Sequence, residues 1–128
     1  MSSSKYSSIH YNSYLQIDKI TSAQTLRSDE VGTHAHDEML FIITHQVYEL
    51  WFKQINFEIK AIANDFSAQT VNEKNVGIAV ARLGRIIEIM KLLIQQLGVM
   101  ETMTPLDFLD FRNYLFPASG FQSFQFRE

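Results

Sequence analysis

The stretch HDEMLFIITHQVYELWFKQ, residues 36–54, decides the fold of the chain. Placed at about 100° per residue, its apolar side chains form a row that continues to residue 66 on one helix face. This row comprises Leu40, Ile43, Val47, Trp51, Ile55, Ile62 and Phe66. A second, mostly aromatic row beside it comprises Phe41, His45, Tyr48, Phe52 and Ile59. Because a helix that is apolar over most of its circumference needs partners on several sides, the stretch predicts an all-α fold.

Two long helices are expected around this stretch. The first should run from about residue 37 to residue 66, with a break at 67–70. The second should begin after Asn72 or Thr70 as its N-cap and continue to about Met103. Since only a short break joins them, the two long helices are predicted to pack antiparallel.

The second long helix carries an apolar stripe that is expected to form its packing seam. The stripe comprises Val76, Val80, Leu83, Ile87, Met90, Ile94 and Leu97. Gly77 and Gly84 lie close to one another on the helix surface and would permit another helix to approach closely. Arg82 and Arg85 are expected on the opposite side. The stripe is therefore predicted to be either core or interface.

A third, shorter helix is marked by Thr104 followed by a proline, which is an N-cap followed by proline at the first helical position. It is predicted over residues 105–115 and should stop before Pro117. The segment 121–128 is strongly aromatic and carries no helix C-terminal signal. Its rings either dock on the two long helices or belong to a chain that continues, and the missing signal favours the second alternative.

The N-terminal part of the chain has weaker patterns. Residues 1–8 are expected to be a disordered lead-in. Residues 9–17 are aromatic and irregular, which is typical of an arm that packs on this chain or on a partner. Thr21 or Ser22 is expected to cap a short helix that runs through Leu26, and residues 28–34 are expected to be a loop.

Composition places the chain among ordinary globular proteins. With 128 residues, it is long enough for one domain, expected over residues 9–128. A net charge of −3 offers no basic excess for nucleic acid, and no stretch approaches the roughly 20 apolar residues of a membrane span. The chain has no cysteine, which excludes disulfides and thiolate metal sites and fits a cytoplasmic location. No nucleic-acid or membrane partner is expected.

Several long motifs, in order along the chain, resemble those of the tryptophan 2,3-dioxygenase family. They are HDE at 36–38, FIITHQ at 41–46, YELWFKQ at 48–54, ETMTPLDF at 101–108, DFR at 110–112 and PASGFQS at 117–123. The resemblance extends over residues 11–128, and motifs of this length are far more specific than a short pattern.

The resemblance implies an all-helical homotetramer, part of a haem-dioxygenase helical bundle. Such proteins bind haem b and insert O₂ across the indole C2–C3 bond of L-tryptophan, giving N-formylkynurenine in the first step of the kynurenine pathway. The substrate-binding residues that the resemblance implies are Phe41, Ile42, Ile43, Thr44, His45, Phe108, Arg112, Tyr11 and Tyr14. Of these, His45 would be catalytic near the indole N–H, and the two tyrosines would reach a neighbouring subunit's pocket. Ser119 and Gly120 would contact the cofactor near the haem edge.

The chemistry of the side chains agrees with these roles. A neutral imidazole can accept an indole N–H bond, and a guanidinium can grip a carboxylate through two parallel bonds. Phe108 and Arg112 are four residues apart, so one helix face can present a ring and a charge to the same amino acid. Without the resemblance, His45 would be read as a hydrogen-bonded core residue and Arg112 as a surface or ion-pair residue. His36 is better read as a cap or local hydrogen-bond partner than as a ligand.

One departure from the family concerns the metal. The histidines are His10, His34, His36 and His45, and none stands at the family's proximal haem-ligand position. No metal ligand is therefore expected in this chain, which should correspond to the N-terminal part of the catalytic domain and be inactive alone. Two function classes stay open: a haem-dependent dioxygenase that needs its C-terminal half, or a non-catalytic helical module that self-associates. In either case the apolar helix surface is expected to make the chain oligomerise.

Overall fold

The computed structural model describes residues 6, 8–67 and 72–128. Within these residues the chain forms helices and no strand, so the all-α prediction is confirmed. The α-helices are α1 (Tyr11–Leu15), α2 (Ile17–Thr21), α3 (Arg27–Glu30), α4 (Glu38–Phe66), α5 (Glu73–Met100), α6 (Pro105–Arg112) and α7 (Phe124–Arg127). Two 3₁₀ turns cover Asn113–Leu115 and Gly120–Gln122. No helix in the described part of the chain is long and apolar enough to cross a membrane.

Two predictions concern residues that lie wholly or largely outside the described ranges. The disordered lead-in, predicted for 1–8, lies outside the described residues except for Tyr6 and Ser8, and both of these are exposed. Thr70, the alternative N-cap of the second long helix, also lies outside them. Asn72 is the N-cap observed, and its side-chain oxygen accepts the backbone N–H of Asn75.

Helices α4 and α5 form an antiparallel pair, as their short connection predicts. Along α4 in the direction of increasing residue number, each contact meets a residue of α5 with a lower number than the one before. The Tyr48 hydroxyl donates to the carbonyl oxygen of Leu93 at 2.6 Å. Further along, Arg85 pairs with Glu58 and Arg82 pairs with Asp65. A small apolar core lies between the two helices and comprises Ile55, Ile86 and Ile89, with Trp51, Ile62 and Leu93 packed against it.

The stripe predicted as the seam of α5 is not the row that packs on α4, so its burial in a core or an interface stays a prediction. The buried positions of α5 are Ala79, Ile86 and Ile89, whereas the predicted stripe 76–97 is exposed. Both rows are apolar, but only one rotation of α5 places its arginines against α4. The carboxylate of Glu58 is almost fully buried, at 4% residue exposure, and lies 3.3 Å from the guanidinium of Arg85. Turning α5 to bury the stripe would leave that buried carboxylate without its cation, which is costly.

The region before α4 also differs from the sequence prediction. Thr21 and Ser22 close α2 rather than open a helix, because their hydroxyls bond back to carbonyls four residues earlier. The predicted loop at 28–34 overlaps the short helix α3. Its first turn is held by the buried carboxylate of Glu38, which accepts backbone N–H groups of α3 from a position ten or eleven residues away. Local patterns carry no information on such a contact.

Helix α6 begins as predicted, and its cap has a measurable electrostatic consequence. The Thr104 hydroxyl accepts the Asp107 N–H at 3.2 Å, and the Asp107 carboxylate accepts the Thr104 N–H at 3.0 Å. The helix ends at Arg112, and the predicted remainder to residue 115 is a 3₁₀ turn. The hydrogen bonds from Thr104, first through its side chain and then through its backbone, hold the pKa of the Asp107 carboxyl below its ordinary value of 3.8.

Asp107→Asn is expected to lower the stability of the fold at neutral pH. A lowered pKa in the folded state means that the charged carboxylate stabilises the fold above its unfolded pKa of about 3.8. That contribution disappears as the pH falls through the folded pKa. Urea unfolding of the wild type and the variant between pH 7 and pH 3 should therefore show a difference in the free energy of unfolding that shrinks as the pH falls. A difference that stays constant over this range would contradict the assignment.

Candidate functional site

The imidazole of His45 has a defined hydrogen-bonding role. Its Nδ1 lies 2.7 Å from the carbonyl oxygen of Phe41, one turn earlier on α4. Because a carbonyl oxygen can only accept, Nδ1 carries the proton and donates it. In the neutral ring, Nε2 is then an acceptor. The ring also packs on that of Phe41, with centroids 4.3 Å apart, which restricts its orientation further.

An aromatic cluster joins the beginning of α4 to α6. Phe41, Phe108 and Phe111 contact one another with centroid separations of 5.3 to 5.7 Å. Phe111 is fully buried, so it anchors α6. Phe108 is thereby placed beside Phe41, whose ring also contacts His45. Three predicted site residues from distant parts of the sequence thus lie in one neighbourhood.

A cleft of about 620 Å³ opens beside His45, between α4 and the last part of the chain. Both residues predicted to contact the cofactor, Ser119 and Gly120, line it together with His45. Its remaining lining residues are Tyr48, Glu49, Phe52, Phe121, Ser123, Phe126 and Arg127. Four of its ten lining residues thus carry a phenyl or phenol ring, and an imidazole, a carboxylate and a guanidinium stand beside them.

The wall of this cleft is held by Glu49, which the sequence did not single out as a site residue. Its Oε1 accepts the Ser123 hydroxyl at 2.6 Å, and its Oε2 accepts the Gln125 side-chain amide at 3.0 Å. The same amide donates to the Glu49 carbonyl oxygen at 2.9 Å, and Asn56 donates to the carbonyl oxygen of Gln125. Lys53 follows Glu49 at the spacing of a helical ion pair, but the structure pairs Glu49 with the last segment of the chain instead. No local sequence signal marks a partner 74 residues away.

The aromatic tail 121–128 contacts α4, but the docking of its rings on the long helices, which was one of the two alternatives, is limited to Phe126. The contact is mainly through polar groups. The rings of Phe52 and Phe126 are 5.5 Å apart, but Phe121, Phe124 and Phe126 all remain exposed.

The substrate-pocket residues predicted at 42–44 point in different directions. Ile42 is half-buried and Thr44 is buried. Ile43 lines a second cleft of about 660 Å³, which lies between α2 and α4 and which His45 also borders. Successive residues of a helix are about 100° apart, so these three side chains have different surroundings, and their place in a substrate pocket stays a prediction.

The other predicted substrate residues lie away from the cleft at His45. Arg112 is exposed at the end of α6, and within the described residues no carboxylate lies within 4.0 Å of its guanidinium. Tyr11 and Tyr14 are each 69% exposed on α1 and line neither cleft beside His45. Their site roles stay predictions.

The described histidines and carboxylates do not gather into a metal site. Within residues 6, 8–67 and 72–128, no group of three or more His, Cys, Asp or Glu side chains is placed to hold a metal ion. His10 accepts the backbone N–H of Asn12 at the start of α1, and His34 pairs with Asp29 at 2.6 Å.

Fold and site together define an all-helical chain with an oriented imidazole above an aromatic cleft. The family model described as tryptophan 2,3-dioxygenase matches residues 2–128. The chain is 58% identical over 123 residues to a tryptophan 2,3-dioxygenase of Bdellovibrio bacteriovorus, which covers 96% of this chain and 34% of that protein. It is 56% identical to the protein of that name from Anopheles gambiae, covering 91% of this chain and 30% of that protein. The corresponding protein of Dictyostelium discoideum is 55% identical, with 93% and 30% covered.

The chain belongs to the tryptophan 2,3-dioxygenase family. It spans about a third of the length of the curated relatives that it matches.

Proposed function

We propose that this chain forms the substrate side of a haem-dependent dioxygenase that opens the indole ring of L-tryptophan to N-formylkynurenine. Family membership and the orientation of His45 support the proposal. The single observation that carries it is the 2.7 Å bond from Nδ1 to the Phe41 carbonyl oxygen, which leaves Nε2 as an acceptor. An indole N–H is a donor and cannot accept, so it is the complementary partner for that nitrogen.

The aromatic cluster supports a flat apolar substrate. Phe41 and Phe108 are half-buried; the ring of Phe41 contacts His45, and the ring of Phe108 contacts Phe41. An indole ring could pack beside these rings while its N–H reaches Nε2. Ile42, Ile43 and Thr44 would complete the pocket. We assign His45 the role of acceptor and orienter of the indole.

Arg112 is proposed to bind the substrate carboxylate. Its guanidinium has no acidic partner within 4.0 Å among the described residues, so it does not have to break an ion pair to engage a ligand. It follows Phe108 by one helical turn, which places ring and charge on the same side of α6. Tyr11 and Tyr14, exposed on α1, are proposed to reach the pocket of a neighbouring subunit in a homotetramer.

The cleft beside His45 fits one face of haem b. Its aromatic wall suits a flat macrocycle, and the polar backbone and side chains at Ser119 and Gly120 suit the edge of such a group. When bound, haem supplies the oxygen chemistry, and the protein supplies orientation and exclusion of water. None of the four histidines stands at the family's ligand position, so a histidine outside residues 1–128 would hold the haem iron. We expect this protein to act in the cytoplasm.

The function is tested on the full-length, haem-loaded protein. We expect it to consume L-tryptophan and O₂ and to release N-formylkynurenine, detected by mass spectrometry. The same protein prepared without haem is the control and should make no product. Absence of product from the haem-loaded protein would contradict the proposal.

The long exposed apolar stripe of α5 favours a second candidate, a non-catalytic helical module that self-associates. Adding haem to the 128-residue chain distinguishes the two. A Soret band that moves when tryptophan is added supports the substrate-side role. Haem that binds without any response to tryptophan supports the module.

A further inference from the structure

Within the described part of the chain, residues 119–128 are attached to α4 mainly by hydrogen bonds. Two phenylalanines of this segment, Phe121 and Phe124, are 88% and 84% exposed, so their rings contribute little to the attachment. Glu49 accepts three of the hydrogen bonds, two through its carboxylate and one through its backbone carbonyl oxygen. The place of the segment on α4 therefore depends chiefly on one residue.

The carboxylate of Glu49 is chemically matched to its partners. A carboxylate accepts hydrogen bonds through both oxygens, and the two partners offer donors, the hydroxyl of Ser123 and the side-chain amide of Gln125. Among the described residues, no Lys or Arg nitrogen lies within 4.0 Å of this carboxylate, so it is not half of an ion pair. Hydrogen bonds to a charged acceptor are stronger than those between neutral groups. Glu49 is therefore well suited to fix the segment in one position.

A single tight turn connects Ser123 to the residues predicted to contact the cofactor. The backbone N–H of Ser123 donates to the carbonyl oxygen of Gly120 at 3.1 Å. Ser119 caps the same 3₁₀ turn, and its backbone N–H donates to the side-chain oxygen of Gln122 at 3.0 Å. Because these bonds lie within five consecutive residues, the turn behaves as one unit, and Glu49 sets its place on α4.

Glu49 follows His45 by one turn of α4, and both side chains line the cleft together with Ser119 and Gly120. One turn of α4 thus carries the imidazole that is proposed to orient the indole and the carboxylate that fixes the opposite wall. We propose that Glu49 is a positioning residue, which holds Ser119 and Gly120 against the edge of the haem at a set distance from His45. This role rests on the proposed function and extends it to a side chain whose carboxylate bonds to the chain itself.

Haem release from the full-length, haem-loaded protein tests this role. Glu49→Ala should speed the transfer of haem to excess apomyoglobin by at least about 10-fold, because the wall at the haem edge loses its attachment. Glu49→Gln should stay within about threefold of the wild type, since an amide of the same shape can accept from Gln125 and donate to the Ser123 oxygen. Asp65→Ala is the matched control, because Asp65 is another half-buried carboxylate of α4 and bonds to a different helix, at Arg82, over 2.6 Å. It should release haem like the wild type.

Ser123→Ala tests the same contact from the other side and leaves α4 intact, so it serves even where Glu49→Ala loosens that helix. It removes the hydroxyl that donates to Glu49 at 2.6 Å and should also speed haem release. Because the two residues act through one contact, the double variant should release haem more slowly than the product of the two single effects predicts. Effects that multiply in full would overturn the proposal.

Hydrogen exchange of the same proteins separates a local change from general unfolding. The peptide covering residues 119–128 should take up deuterium faster in Glu49→Ala than in the wild type, and Asp65→Ala should leave its uptake unchanged. Circular dichroism should show the same helix content in all variants. Uptake that does not change in Glu49→Ala would overturn the proposal.

The outcomes of the haem-release measurement distinguish this role from the function on which it rests. A full-length wild-type protein that holds no haem would refute the proposed function and this role with it. If the wild type holds haem and Glu49→Ala releases it no faster, or if Asp65→Ala or Glu49→Gln accelerates release as much as Glu49→Ala does, only the role of Glu49 is overturned.

Discussion

Arg112→Ala in the haem-loaded full-length protein is expected to damage the use of tryptophan far more than His45→Ser. In the proposed complex, Arg112 faces the charged carboxylate of the substrate. Removing one partner of a charged hydrogen bond in an enclosed site costs on the order of 2–5 kcal/mol, or roughly 30-fold to several thousand-fold in kcat/KM. His45 makes one bond to a neutral N–H group, worth about 0.5–1.5 kcal/mol. A water molecule in the space left by the imidazole can replace part of it.

Steady-state kinetics on both variants measures this difference. Arg27→Ala is a suitable control, because Arg27 is another exposed arginine and pairs, among the described residues, only with the exposed Glu30. It should leave kcat/KM unchanged. If His45→Ser abolished turnover while Arg112→Ala kept nearly normal kcat/KM, the imidazole would have to act as an obligatory base. The proposed roles of the two residues would then be wrong.

Glu38→Ala is expected to cause the largest loss of stability among the substitutions considered. The Glu38 side chain is buried, at 1% residue exposure. Its two carboxylate oxygens accept the backbone N–H groups of Arg27 at 2.7 Å and Ser28 at 2.9 Å. Removing the carboxylate leaves these donors without a partner, and the loss should be about 2–5 kcal/mol in the free energy of unfolding.

Glu73→Ala provides the matched control. Glu73 is the first residue of α5, as Glu38 is the first residue of α4, but Glu73 is exposed. Its removal takes away only a favourable charge at a helix N-terminus, worth about 0.3–1 kcal/mol. Urea unfolding of the two variants at pH 7 should separate these values. Similar small losses for both variants would mean that Glu38 stabilises the fold only as a negative charge at a helix start, and not through its hydrogen bonds to α3.

The three longest helices are predictable because their causes are local. The apolar rows of α4 repeat at helical spacing, and α6 begins at a threonine followed by proline, whose capping contacts all lie within three residues. The long motifs also locate His45 and Phe108, which the structure places next to Phe41. The site is less predictable. Glu49 is bound to residues more than seventy positions away, and only folding brings them together.

The sequence by itself determined that the chain is helical, where its long helices begin, and the family to which it belongs. Helical periodicity and capping depend on neighbours within about four residues, so they can be read without a fold. The tertiary structure alone decided which of two apolar rows of α5 meets α4. Both rows satisfy the same periodicity, and the choice rests on the buried carboxylate of Glu58, which needs Arg85 at 3.3 Å. It likewise decided that Glu38 holds α3, because a buried carboxylate must find donors wherever the chain brings them.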